Sequence, residues 1–393
     1  MSIDRQSDTG AEPAFIELLN HLRSTAAERD RRGGHAAREK QLLADAGLLT
    51  LTIPLQYGGQ GASWPETYAV LRRLANVDSA LAHLLGFQYL QVTSVLVWGN
   101  PAQRERYLRA TVEQRWWWGN AVNPVDTRLS VSVHDEGVLL DGVKGFCSGT
   151  VGSTQMVVSA HRPGDGKTVV AVIPTDRAGI TVHQDWDPIG QRQTDSGSVS
   201  FRQVRVQRDE ILHSSETAAT PYASLRTLVS QLLLANLFVG IAEGAFAEAR
   251  DYVMQFTRPW FASGVTRSAD DPYVIQRFAE MRLKIAPAQA LTDRAAILLE
   301  TAWRKGEQLD AKTRAEVALA VAEAKVLAHR AALDVSESIF DVCGARATHA
   351  PLSLDRFWRN ARTHTLHDPI DYKIKAIGRY ALEGILPEPN LYS

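Results

Sequence analysis

With 393 residues, 45% of them hydrophobic and 22% charged, the chain can bury a large core and is long enough for two or three domains. Its 43 basic and 44 acidic side chains leave a net charge of −1, so no overall field draws it to nucleic acid or to an anionic membrane surface. Two cysteines, Cys147 and Cys343, are too few for a disulfide framework and lack metal-ligand spacing, so reduced thiols and no metal site are expected.

The first fifteen residues, MSIDRQSDTGAEPAF, are polar and carry no apolar signal core. No later segment is expected to supply the ~20 apolar residues that span a bilayer, and the expected compartment is the cytoplasm. Residues 1–114 read as a helical domain, with apolar residues at three-to-four spacing in FIELLNHLRSTAAERD, REKQLLADAGLL and WPETYAVLRRLANV. Ser79–Gly99 is apolar on nearly every side, which implies a helix buried all round. Its polar groups His83, Gln88 and Tyr89 then need either core partners or a cavity.

From residue 115 to 222 the pattern changes to short alternating runs such as LSVSV, QMVVSAH and TVVAVIP, and an antiparallel sheet or barrel is expected. Adjacent aromatics on a strand face opposite ways, so at least one of Trp116, Trp117 and Trp118 belongs to the core. Residues 223–393 return to long Ala- and Leu-rich amphipathic runs, which suggest a four-helix bundle. The fold class is therefore α+β, mostly α. Near the end, RFWRNARTHTLHDPID places His364 and His367 three apart, on one face of a helix that Pro369 closes, with Asp368 beside them. Such a run is either one wall of an active site or a capped surface helix with two solvated imidazoles.

Several phrases taken together resemble the acyl-CoA dehydrogenase superfamily: PLQYGGQGAS its Pro–Gly–Gly turn, LLDGVKGFCSG its central strand pair, and WDPIGQRQTDSGSVSFRQVRVQRDEIL its second flavin-facing segment. The resemblance implies that fold, with a flavin where the β-domain meets the bundle. It places Ser148 and Phe146, taken to share one strand face, against the ring edge, with Asn123, Trp186 and Ser196 around it. Arg258, with Arg346 as a second candidate, would reach a flavin phosphate in a neighbouring subunit of a homo-oligomer, expected to be a tetramer.

Two departures select a branch. The segment that carries the dehydrogenase carboxylate reads THTLHDPID here, with an imidazole in place of the Glu, and the Gly-Gly turn beside the FAD adenylate reads Gly344-Ala345, where a Cβ favours FMN over FAD. With RPWFASGVTRSADDPYV, these features are similar to the flavin-dependent monooxygenases of dibenzothiophene monooxygenase type. Such enzymes take FMNH2 from a separate NAD(P)H:flavin reductase and form a C4a-hydroperoxyflavin with O2. They then oxygenate a small apolar sulfur-containing or aromatic substrate. In that frame His367, helped by His364, stabilises the peroxide, Ser148 binds the flavin edge, and Gln88, Tyr89 and His83 line the substrate pocket. The alternative is an FAD-dependent acyl-CoA dehydrogenase or oxidase with a displaced base such as Asp368.

Overall fold

The computed structural model describes residues 11–134, 137–164, 166–213, 220–390 and 392–393. Five helices come first: α1 (Ala11–Arg32), α2 (Ala37–Asp45), α3 (Trp64–Val77), α4 (Ser79–Trp98) and α5 (Pro101–Gln114). Eight strands follow: β1 (Trp118–Ala121), β2 (Leu129–His134), β3 (Gly137–Lys144), β4 (Gln155–His161), β5 (Thr168–Pro174), β6 (Ile180–Val182), β7 (Val199–Gln207) and β8 (Ile211–His213). The chain closes with α6 (Leu225–Phe256), α7 (Pro272–Arg304), α8 (Ala311–Cys343), α9 (Arg356–Thr365) and α10 (Asp371–Glu383).

The helix starts follow from local chemistry. Ser63 and Glu66 form a capping box at the start of α3, with Pro65 in the first turn between them. Asp78 accepts hydrogen bonds from Ala80 N and Leu81 N, both 3.0 Å, and so starts α4. Close approach then fixes α4 and its neighbours on the bundle: a Cβ on Gly244 of α6 would fall 2.1 Å from Asn76 O, just before the α4 cap. One hydrophobic core runs without a break from α1 through α3 and α4 into α6, α7 and α8. A second lies among the strands, and a third joins α4 and α5 to β1, β4 and β5.

Two expectations need correction. Among the described residues α4 and α6 are each long and apolar enough to cross a membrane, and in each 89% of the most apolar window is buried within the fold. Their apolarity serves packing, since α4 is covered by the bundle on one side and the sheet on the other. The sheet is mixed rather than antiparallel. Its order is β6-β7-β3-β2-β4-β5-β8, with β1 paired to β4. Residues 145–154 carry the chain from β3 across β2, so β4 runs parallel to β2, and β1 also joins β4 in parallel.

Candidate active site

Three distant parts of the chain meet at one buried line of hydrogen bonds. Helix α4 presents His83 one turn before Phe87, the two rings stacked with centroids 4.1 Å apart. Beyond β3, the 145–154 loop turns Ser148 inward, and Asn120 N donates to Ser148 O at 2.9 Å to hold it there. His83 Nε2 shares a 2.9 Å hydrogen bond with Ser148 Oγ, which shares a 2.7 Å bond with Ser196 Oγ. Ser196 Oγ meets Thr194 Oγ1 at 2.8 Å, and the Thr194 hydroxyl donates to Gln191 O at 3.1 Å. At the other end His364 Nε2, from the last turn of α9, lies 3.0 Å from His83 Nδ1.

The line can run in either direction. His364 Nδ1 is buried with no hydrogen-bond partner among the described residues. With Nδ1 bare, His364 Nε2–H donates to His83, which donates in turn to Ser148. Give Nδ1 a proton to offer a ligand and the bonds from Thr194 to His364 reverse, the Thr194 hydroxyl turning from the Gln191 carbonyl, which can only accept, to Ser196, as a proton relay requires. Burial, reinforced by a neighbouring charge on His367, pushes His83 down to about 3, and burial holds His364 well below the ordinary imidazole range. Both rings are therefore neutral at physiological pH, each with one N–H and one lone pair.

The turn that carries Thr194 and Ser196 is clamped from both helical regions. Gln191 and Asp195 sit at φ 55° and 47°, in the left-handed region, a strain of ~1–3 kcal/mol each that must be over-determined by surroundings. Gln191 N donates to Asn360 Oδ1 of α9 at 2.6 Å, and Gln191 Nε2 to Ser79 Oγ of α4 at 2.9 Å. His35 Nδ1 pairs with Asp195 Oδ2 at 2.6 Å. A Cβ on Gly190 would lie 2.1 Å from Arg359 O, so only glycine lets the turn reach α9. A narrow crevice between Asp78, Arg192, Arg356 and Asn360 flanks this turn, away from the histidines.

His367 is elsewhere than expected. Helix α9 ends at Thr365 and Leu366 leaves helical geometry at ψ 0°, so the two histidines do not share a helical face. His364 is buried in the relay, whereas the His367 side chain is 39% exposed and its Nδ1 lies 2.9 Å from Asp368 Oδ1. Asp368 is also paired with Lys325 and, at 3.3 Å, with Lys373. Burial raises the Asp368 carboxyl, but the His367 hydrogen bond and the two ammonium groups outweigh it and hold the group far below the carboxylate range.

The remaining expected residues divide. Phe146 stands at φ 57°, outside β3, and is 65% exposed while Ser148 is buried, so the two do not share a strand face. Phe146 instead meets Trp186 edge-on at 6.1 Å, and Trp186 Nε1 donates to Gln191 O, so both aromatics flank the relay's far end. Asn123 O accepts from Lys144 Nζ at 2.7 Å, which fixes the loop after β1. Gln88 and Tyr89 are core residues: Gln88 Oε1 accepts from Trp118 N at 2.9 Å, and Tyr89 donates to Leu48 O at 2.9 Å. On α4 they lie about 120–140° round the axis from His83. Arg258 is exposed and makes no hydrogen bond or ion pair among the described residues, whereas Arg346 donates to Phe256 O at 2.8 Å. Sequence reasoning missed Phe87, Asn120, Gln191, Thr194 and Lys325. Of these only Thr194 carried a signal, its place two residues before Ser196.

Comparison with known proteins agrees over nearly the whole chain. The acyl-CoA dehydrogenase N-terminal domain matches residues 17–115 and the C-terminal domain residues 232–372. A probable FMNH2-dependent monooxygenase, SfnC of Pseudomonas putida, is 48% identical across 98% of this chain and 99% of its own length. The solved methanesulfinate monooxygenase MsuC of Pseudomonas fluorescens superposes with TM-score 0.95 at 46% identity, covering 97% of this chain and 99% of its own. FMN-bound TdsC of Paenibacillus sp. A11-2, a dibenzothiophene monooxygenase, superposes at 0.93 with 36% identity over 98% of this chain and 100% of its own.

Proposed function

Because the chain belongs to the acyl-CoA dehydrogenase family, in its branch of FMNH2-dependent monooxygenases, we propose that it oxygenates a small organosulfur or aromatic compound, with the His364–His83–Ser148–Ser196 line as its proton relay. The overall reaction balances as substrate + O2 + FMNH2 giving oxygenated substrate, FMN and water. Protons must therefore be moved and held inside a dry site, and the relay with its unpartnered His364 Nδ1 is the observation that carries this reading.

The residues fit FMN. An isoalloxazine needs apolar cover for its faces and hydrogen bonds for its edge. Phe146 and Trp186 form a partly uncovered aromatic pair near the serine hydroxyls of Ser148 and Ser196, and Lys144, at the end of the strand before Phe146, holds the Asn123 loop. When bound in its reduced form, FMN supplies the electron pair that activates O2. Ser148 and Ser196 present hydroxyls that accept or donate as the relay reverses. His83 passes the proton between Ser148 and His364, and Phe87 and Phe238 exclude water from the imidazoles. His367, whose Nε2 has no hydrogen-bond partner among the described residues, offers that nitrogen as a second proton-exchanging group.

Arg258 is assigned to a flavin phosphate of a neighbouring subunit in a homotetramer. It projects from the joint between α6 and α7 beside Trp260 and the 87% exposed Phe261, an uncovered apolar surface that an assembly would bury. FMNH2 is assigned to a separate NAD(P)H:flavin reductase in the same, cytoplasmic, compartment. The dehydrogenase alternative loses its base, because a carboxylate held ionised by two lysines is too weak a base to remove an α-proton. The test supplies anaerobically prepared FMNH2, admits air, and counts oxygenated product against hydrogen peroxide with methanesulfinate, dibenzothiophene and indole as probes. Product from at least one probe is expected. Peroxide alone with all three, together with flavin bleaching by acyl-CoA, would sink the proposal.

A further inference from the structure

The cluster behind His367 is larger than a proton carrier needs. Asp368 is buried between three elements: Lys325 reaches it from the middle of α8, Lys373 from the first turn of α10, and His367 from the bend that joins α9 to α10. Each lysine is also tied to a neutral oxygen, Lys325 Nζ to Gln231 Oε1 of α6 at 2.6 Å and Lys373 Nζ to Tyr392 O at 2.7 Å. The Tyr392 ring in turn packs edge-on against His367, centroids 5.9 Å apart at 86°. The imidazole is therefore gripped on two sides by parts fastened to one carboxylate.

We propose that Asp368, clamped by Lys325 and Lys373, is a positioning residue that fixes His367 in the tautomer with Nδ1–H toward the carboxylate, leaving Nε2 for the ligand. This rests on the reading of His367 given above. The chemistry is one-directional. An ammonium group has only donors, so both lysines hold Asp368 as an ionised carboxylate, and an ionised carboxylate only accepts. The proton between Asp368 and His367 must then sit on Nδ1. Tyr392 supplies the orientation that a single hydrogen bond cannot, because rotation about that bond would drive the ring into the tyrosine edge.

The same carboxylate joins α6, α8, α10 and the chain's last residues, so a purely structural role must be separated from positioning. The test uses the full-length protein with FMN and three variants, Asp368→Asn, His367→Gln and the double. A fourth, Asp368→Asn with Lys325→Met, removes one charge of each sign and stands in should the single amide fail to fold. In protein labelled with 15N-histidine, Asp368→Asn is expected to move the His367 signal from the Nδ1–H to the Nε2–H form. It should also cut product per FMNH2 by about 10²-fold, as loss of an acid–base group does. The double variant should lose no more than His367→Gln alone, since a residue acting only through His367 is silent once that ring is gone. An unchanged tautomer, or losses that multiply in the double variant, would overturn positioning while leaving His367 its role. Full coupling in His367→Gln would instead overturn the role itself, and positioning with it.

Discussion

Ser148→Ala tests the relay at its centre. Ser148 Oγ is the shared partner of His83 Nε2 at 2.9 Å and Ser196 Oγ at 2.7 Å. Ser196 keeps Thr194, and His83 keeps His364 through its other nitrogen, so the substitution strands one buried polar atom, His83 Nε2. Stranding it costs ~1–3 kcal/mol of stability, a tolerable fraction for a fold of this size. The chemical effect is larger. A proton that must cross from the sheet to the bundle loses the hydroxyl that bridges Ser196 and His83, and loss of acid–base catalysis of this kind is worth ~10²–10⁴ in rate, or about 3–5 kcal/mol of barrier. Reduced FMN and the variant would be mixed with aerated buffer containing a turned-over probe, and oxygenated product and hydrogen peroxide counted together. Product should fall by about 10²-fold while peroxide rises to match the flavin oxidised. An unchanged ratio of product to peroxide would refute the relay, whatever happened to stability.

The buried histidines make stability sensitive to acid. The folded pKa of His83 lies at about 3, below the ordinary 6.5, so its contribution is complete above pH 6.5 and is lost as pH falls through that value toward 3. At pH 5 that loss is about 2 kcal/mol for a ring as buried as His83, read as a lower urea midpoint than at pH 7.5, and His83→Leu should flatten the difference. Gln88→Ala should cost ~2–4 kcal/mol because it strands the Trp118 N–H and the Trp116 carbonyl, yet leave product per FMNH2 unchanged. A drop in coupling would restore Gln88 to the pocket. Arg258→Gln should weaken FMN binding by about tenfold in an equilibrium titration, the loss of a charge-assisted contact, at an unaltered urea midpoint.

The architecture was legible because it rests on long patterns. Three-to-four periodicity over 79–98 or 311–343 and alternation over 168–174 survive any local detail. That Ser148 and Ser196 come together was legible because motifs fix each relative to a strand or a turn, and the imidazole in place of a carboxylate is read directly from the sequence. What failed was decided by single backbone torsions. Leu366 at ψ 0° parts His364 from His367, and the left-handed Phe146 turns its ring away from the Ser148 side. Gln88 and Tyr89 were read from their helix's apolarity, which says that partners exist but not whether they are backbone groups or a ligand. Lys325 gave no signal, since a lysine on a long amphipathic helix is ordinarily solvated, and here Gln231 of α6 and Asp368 of the bend between α9 and α10 meet it in the interior.

The relay also has a history in folding. The link between Ser148 and Ser196, 48 positions apart, closes within the sheet region, but the links 65 and 281 positions apart cannot form until the N-terminal helices have docked on the sheet and on the bundle. Loop-closure entropy makes such contacts late ones. A nascent or locally opened chain, even one with every helix in place, lacks a continuous path for protons. Partial unfolding at either of these two junctions should therefore switch off oxygenation well before the core melts, and the enzyme's working limit in heat or denaturant is set by docking rather than by its most stable helices.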